Sequence, residues 1–219
     1  MTYTGKVSVG GPVDTRELPG LNIAKVSVGS MSNNAYLLRC TATGEALLLD
    51  AAAEPNRLAE LVSLGGPPAS TVVTTHEHAD HWQALAAVVA QTGARTLAGA
   101  DDAPGIPVPT DRLLHHGDTV HVGHAELAVI TLRGHTPGSV ALYYQDPTGT
   151  GHLFTGDSLF PGGPGRTTSP ANFTSLMDDL EQRVFGVFDD QTWVYPGHGD
   201  DTTLGAERGS LGEWRARGW

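Results

Sequence analysis

The alternation of apolar and polar positions divides the chain into short strands and a few amphipathic helices. Ile23-Ala-Lys-Val-Ser-Val28, Ala35-Tyr-Leu-Leu-Arg39 and Ala46-Leu-Leu-Leu-Asp50 are brief apolar runs separated by Gly, Ser and Asn, which predicts successive strands of a first sheet. Leu58, Leu61 and Val62 fall at helical spacing in residues 55–63, and Gly65-Gly-Pro-Pro68 stops that helix. Ser70-Thr-Val-Val-Thr-Thr75 is a β-branched strand, and residues 82–90, rich in alanine, form a helix that ends near Gly93. A second group of strands is expected at residues 119–122, 127–131, 140–144, 152–155 and 191–195. Ser169-Pro170 starts a helix over 171–185, with Phe173, Leu176, Met177, Leu180 and Val184 on one face. The tail after His198 reads as a loop and a closing helix. Strands in two groups with helices outside predict an α+β chain folded as an αββα sandwich: two mixed β-sheets with helices on the outer faces. No polar linker divides it, so residues 1–219 are expected to form one domain.

Composition narrows the functional classes. Apolar residues make up 39% of the 219 and charged residues 17%, enough for a core and too little charge for disorder. A formal charge of -11 argues against nucleic acid as a partner. Part of that negative charge would be neutralised if carboxylates face a divalent metal. The N-terminus lacks a secretory pattern, and no run approaches the roughly 18 apolar residues that a membrane span requires. Cys40 is the single cysteine; it lies in a strand and reads as a buried structural thiol. A cytoplasmic location without membrane association is therefore expected. Oligomeric state leaves no signature.

The candidate chemistry lies in Thr75-His-Glu-His-Ala-Asp-His81. His76, His78, Asp80 and His81 place four potential ligands within six residues, where a strand hands over to a helix. An extended segment aims alternate side chains the same way, so His76 and His78 can grip one ion while Glu77 points elsewhere. The turn that follows re-aims Asp80 and His81 toward a second position. His135 in Gly134-His-Thr-Pro-Gly-Ser139, Asp157 in Thr155-Gly-Asp-Ser158 and His198 in Pro196-Gly-His-Gly199 occupy comparable strand ends beside glycine. Imidazole with carboxylate suits zinc, iron or manganese. The remaining histidines, at 115, 116, 121, 124 and 152, read as surface or hydrogen-bonded residues.

On these residues the chain resembles the metallo-β-lactamase superfamily, whose His-x-His-x-Asp-His signature matches residues 76–81. The resemblance implies the αββα fold and a pair of divalent ions, with zinc expected and iron or manganese as alternatives. His76, His78 and His135 correspond to the ligands of one ion, and Asp80, His81 and His198 to those of the other. Asp157 corresponds to the bridging carboxylate, and Asp50 to one that supports the metal loop from behind. Asp80 and His81 are expected to be catalytic as well.

Two such ions 3.5–4 Å apart are expected to supply a bridging hydroxide that attacks a thioester or ester carbonyl, with Asp80 or water returning a proton to the leaving group. Asp157 and His81 are similar to the glyoxalase II branch, which hydrolyses glutathione thioesters. Phe160-Pro-Gly-Gly-Pro-Gly-Arg-Thr167 resembles the loop that places a basic residue against glutathione, making Arg166 the candidate substrate anchor. Glyoxalase II proteins continue into a helical C-terminal domain, whereas only 199–219 follow His198 here. The resemblance is thus to short glyoxalase II-like hydrolases without a separate C-terminal substrate-binding domain, and another small thiol could be the carrier. The alternatives are a mononuclear iron persulfide dioxygenase held by His76, His135 and Asp157, a lactonase, a β-lactamase, or a non-catalytic metal-binding module.

Overall fold

The computed structural model describes residues 2–218. The first sheet has seven strands in chain order: β1 (Asp14–Glu17), β2 (Leu21–Val28), β3 (Asn33–Cys40), β4 (Ala46–Leu49), β5 (Thr71–Thr74), β6 (Arg95–Gly99) and β7 (Arg112–Leu114). Pairing is antiparallel as far as β4 and parallel from there on. The change follows from the connections. Helices α1 (Pro55–Val62) and α2 (Leu85–Thr92) carry the chain back across the sheet before β5 and β6, and the connection 100–111, with its 3-10 turn, does so before β7; parallel neighbours need such a crossover.

The second sheet has six strands, ordered β15 (Thr202–Thr203), β14 (Trp193–Pro196), β11 (Gly151–Gly156), β10 (Val140–Gln145), β9 (Ala125–Thr131) and β8 (Thr119–Val122). Its one parallel pair, β11 with β14, is joined through a hairpin, β12 (Leu159–Phe160) and β13 (Gly163–Pro164), and helix α3 (Pro170–Leu180). Helices α4 (Leu204–Arg208) and α5 (Leu211–Arg217) complete the described chain.

Strand alternation builds three apolar layers. Leu21 and Ile23 of β2, Leu47 and Leu49 of β4, and Leu142 and Phe154 of the second sheet meet between the sheets. The intervening Ala24, Val26, Val28 and Leu48 pack on Leu58 and Leu61 of α1 and Leu85 and Val88 of α2. On the opposite side Ala141, Leu153 and Val194 pack on Leu176, Met177 and Leu180 of α3 and Trp214 of α5. A strand covered on both faces has no polar side, which is why Leu47-Leu-Leu49 is continuously apolar. The expected αββα arrangement is present.

The elements differ from the expected ones in detail. Strands β1, β6 and β7 lie outside the expected set: Asp14-Thr-Arg-Glu17 and Arg95-Thr-Leu-Ala-Gly99 carry too few large apolar side chains to stand out, and Arg112-Leu-Leu114 is too short to show a period. The second helix starts at Leu85 rather than Trp82, since 79–81 are taken up by a one-turn 3-10 helix. The helix expected over 171–185 is α3 followed by a π-helical turn, Glu181–Phe185, which keeps Val184 and Phe185 buried. The tail holds a short strand and two helices instead of a loop and one helix. Among the described residues no helix is long and apolar enough to cross a membrane.

Candidate metal centre

Four strand ends deliver the candidate ligands to one edge of the sandwich. His76 and His78 leave β5, and Asp80 and His81 lie in the 3-10 turn Ala79–His81. His135 sits in the connection from β9 to β10, Asp157 directly follows β11, and His198 follows β14. An isolated bridge between Asn33, at the start of β3, and His198 ties the two sheets together at this edge. The packing is close enough to require glycine. A Cβ on Gly197 would stand 2.1 Å from Asp157 Oδ1 and 2.8 Å from His81 Cε1.

Within this cluster three triads each bring their donor atoms within 4.8 Å of one another: His76, His78 and His135; His76, His81 and Asp157; and Asp80, His81 and His198. Asp157 faces both ends of the cluster. Its Oδ1 is 3.4 Å from His81 Nε2, and its Oδ2 is 3.4 Å from His198 Nε2 and 3.7 Å from His135 Nε2. His198 Nε2 and His81 Nε2 each lie 3.4 Å from Asp80 Oδ2.

The imidazoles are oriented from outside. Nδ1 of His76 is 3.0 Å from the Thr75 hydroxyl, and that of His81 is 2.8 Å from Asp50 Oδ2. Nδ1 of His135 lies 2.6 Å from the Arg166 carbonyl oxygen, and that of His198 3.0 Å from the Met31 carbonyl oxygen. A carbonyl can only accept, so His135 and His198 donate from Nδ1 and turn Nε2 inward. Meanwhile Nε2 of His76, His81 and His135, together with Asp157 Oδ1, are buried without a hydrogen-bond partner among the described residues. Leaving a buried polar atom unsatisfied costs about 1–3 kcal/mol. Four such atoms converging on one spot fit a cation held there, and a donor set of imidazole and carboxylate without thiolate fits a divalent transition metal.

Electrostatics divide the cluster. Burial, reinforced by neighbouring imidazoles, holds His76 well below the usual histidine range, and burial also lowers His135. For His81 burial works the same way, but Asp50 and Asp157 outweigh it and push the ring up to about 10. His198 is likewise raised, Asp157 overcoming burial. Asp157 is held far below the ordinary carboxylate range, because the nearby His198 and His81 rings outweigh desolvation.

Residues around the cluster complete the site. Asp50 is 2% exposed; its Oδ1 accepts the Thr75 N–H and its Oδ2 the Thr75 hydroxyl, both at 2.8 Å. Asn33, which drew no notice in the sequence, donates its side-chain amide to Asp80 Oδ2 at 2.7 Å and is 1% exposed. Its only sequence signal is a pair of asparagines opening a strand. Arg166 is exposed and lines a cleft of about 400 Å³ with His78, His135, Thr167 and Thr168. Among the described residues its guanidinium has no ion-pair partner. Histidines 115, 116, 121 and 124 are exposed and lie outside the cluster, and His152 is buried with Nδ1 2.9 Å from the Tyr195 hydroxyl. Cys40 is buried and accepts the His124 N–H at 3.4 Å.

Comparison with known proteins bears on the family. A hydroxyacylglutathione hydrolase from Rhodospirillum rubrum is 35% identical over 178 residues, covering 81% of this chain and 66% of that protein. This chain thus spans less than two thirds of the length of this and other curated relatives that it matches. The crystal structure of TTHA1623 in a di-iron-bound form is 32% identical with a TM-score of 0.69, over 84% of this chain and 96% of that one. The crystal structure of ETHE1 from Myxococcus xanthus is 30% identical with a TM-score of 0.74, over 85% of this chain and 81% of that one. The sequence profile of the metallo-beta-lactamase superfamily matches residues 28–198. Signature, architecture and profile agree, and the chain belongs to the metallo-beta-lactamase superfamily.

Proposed function

We propose that the protein is a metal-dependent hydrolase of small thioesters or related esters. The carrying observation is the convergence of buried, unpartnered Nε2 atoms and a shared carboxylate on one cleft. In this reading His76, His78 and His135 hold one ion, Asp80, His81 and His198 hold the other, and Asp157 reaches both. The di-iron form of the 32% identical protein supports a pair of ions. Zinc is the proposed metal, with iron or manganese suited to the same donors. The relatives named hydroxyacylglutathione hydrolase support an acylated thiol as substrate. The charge of -11 and the single buried Cys40 favour a small-molecule substrate, met in a reducing cytoplasm, over nucleic acid.

When bound, a pair of divalent ions acidifies water toward neutrality and draws electron density from a carbonyl. The residues supply the rest. Arg166, at the cleft wall, orients an anionic group of the thiol carrier. Water adds to the acyl carbon and gives up a proton to Asp80 or to solvent, the C–S bond breaks, and the departing thiolate takes a proton back from Asp80 or from water. Between the two residues given a catalytic role, Asp80 is the one that can exchange that proton with the cleft, since its side chain is 18% exposed and that of His81 is 0%. His81 acts as a ligand.

A panel of thioester, lactone, phosphodiester and β-lactam substrates, with His78→Ala as the blank, tests the reading. Turnover of thioester by the wild type alone is expected; no difference between the two proteins on any substrate would refute it. A second reading, one iron held by His76, His135 and Asp157 for oxygenation of a persulfide, draws on the 3.7 Å approach of His135 Nε2 to Asp157 Oδ2. One iron per chain, with oxygen uptake on a thiol persulfide, would replace the hydrolase by the oxygenase.

A further inference from the structure

One buried carboxylate outside the cluster acts on two ligand loops at once. Asp102 lies in the turn after β6 and is 0% exposed. Its Oδ2 accepts the backbone N–H of Glu77, between His76 and His78, at 3.1 Å. The same oxygen accepts the hydroxyl of Thr136, the residue after His135, at 2.5 Å, and Oδ1 accepts the Gly138 N–H at 2.5 Å. The Thr136 hydroxyl also lies 2.5 Å from that of Ser139; with its proton spent on Asp102 it accepts from Ser139, which closes the 136–139 turn.

The segments touch only because two glycines let them. A Cβ on Gly138 would stand 2.5 Å from the Asp102 nitrogen, and one on Gly99 would stand 1.9 Å from the Gly138 carbonyl oxygen. Among the described residues no lysine or arginine pairs with Asp102. A buried carboxylate without a cationic partner is costly, and it persists where other groups depend on it. Those groups are the two loops that carry His76, His78 and His135. Asp50, by contrast, reaches the cluster through Thr75 and the His81 ring.

We propose that Asp102, with Thr136, is the positioning device of the His76/His78/His135 metal position: it fixes the distance between the two loops and so sets the affinity of that position alone. The proposal rests on the two-metal reading above. Asp102→Asn keeps the volume but turns an NH2 group against an N–H donor, while Thr136→Val removes the hydroxyl at nearly constant size and guards against a folding defect.

The experiment is calorimetric titration of the metal-stripped full chain with cobalt(II) alone. The binding event abolished by His78→Ala marks the first position, and the event abolished by His198→Ala the second. Asp102→Asn and Thr136→Val are expected to weaken the His78-dependent event about 10- to 100-fold, the usual effect of removing a group that orients a ligand, and to leave the other within about twofold. Equal weakening of both events, or of neither, overturns the role given to Asp102. Absence of a His78-dependent event in the wild type overturns the two-metal reading, and the proposal with it.

Discussion

His81 Nδ1 lies 2.8 Å from Asp50 Oδ2, and Asp50 holds that oxygen in place from a left-handed backbone at φ 57°. Such a conformation is unfavourable for a residue other than glycine and is found where neighbouring structure imposes it. Here it ends β4 with both carboxylate oxygens under the histidine loop, one of them shared between Thr75 and His81. The pair anchors the ring that faces Asp80 and Asp157.

Asp50→Asn is accordingly expected to lower zinc affinity at the second position by about 10- to 100-fold. Asparagine has one acceptor oxygen where Thr75 and His81 together need two. Competition against a chromophoric chelator, with His198→Ala marking the second position, measures the effect; unchanged affinity would remove Asp50 from the site.

Arg166 makes a sharper claim on specificity. If its guanidinium binds an anionic group of the carrier, Arg166→Ala raises KM about tenfold for a carboxylate-bearing thioester and leaves kcat nearly unchanged. A thioester of a neutral carrier should show no such change. Steady-state kinetics on the two substrates separate this from a general defect, and because the Arg166 carbonyl oxygen is the part that meets His135, the alanine variant retains that contact.

Asp179 on α3 accepts the N–H, Nε and Nη2 of Arg133 at 2.8–2.9 Å and so pins the chain two residues before His135. Burial pushes its carboxyl up, but the bonds from Arg133 outweigh this and hold it below the ordinary value. A depressed carboxylate stabilises the fold fully above its unfolded value of about 3.9 and loses that contribution as pH falls through the lower folded value. Asp179→Asn should therefore cost roughly 1–3 kcal/mol at pH 7, with the gap to wild type narrowing below about pH 4. Urea denaturation at the two pH values decides it.

Metal removal provides a further check. Ions bound only by the folded chain stabilise it by mass action, so chelation is expected to lower Tm and abolish hydrolysis, and added zinc to restore both. His78→Ala should show a smaller chelator-induced shift in Tm than the wild type, read by differential scanning fluorimetry.

Residues 76–81 were legible in the sequence because four potential ligands in six positions have no common structural purpose, and the strands of the two sheets because β-branched and leucine-rich runs stand out against glycine and proline. The layered α+β architecture follows from the same periodicity. What was not legible had no local pattern. Asn33 reaches Asp80 across 47 residues, and Asp102 reaches Glu77 across 25 and Gly138 across 36. Each is a single polar residue whose partners appear only once the sheets have closed. Strand β6 was hidden for a related reason, its burial coming from neighbours rather than from large side chains of its own, and β7 is too short to show a period. The sequence by itself determined which donor types are available and roughly where the strands that carry them end. Only the tertiary structure decided which ring nitrogen His81, His135 and His198 turn inward and which buried carboxylates meet the histidine loops, because those depend on hydrogen bonds between segments far apart along the chain.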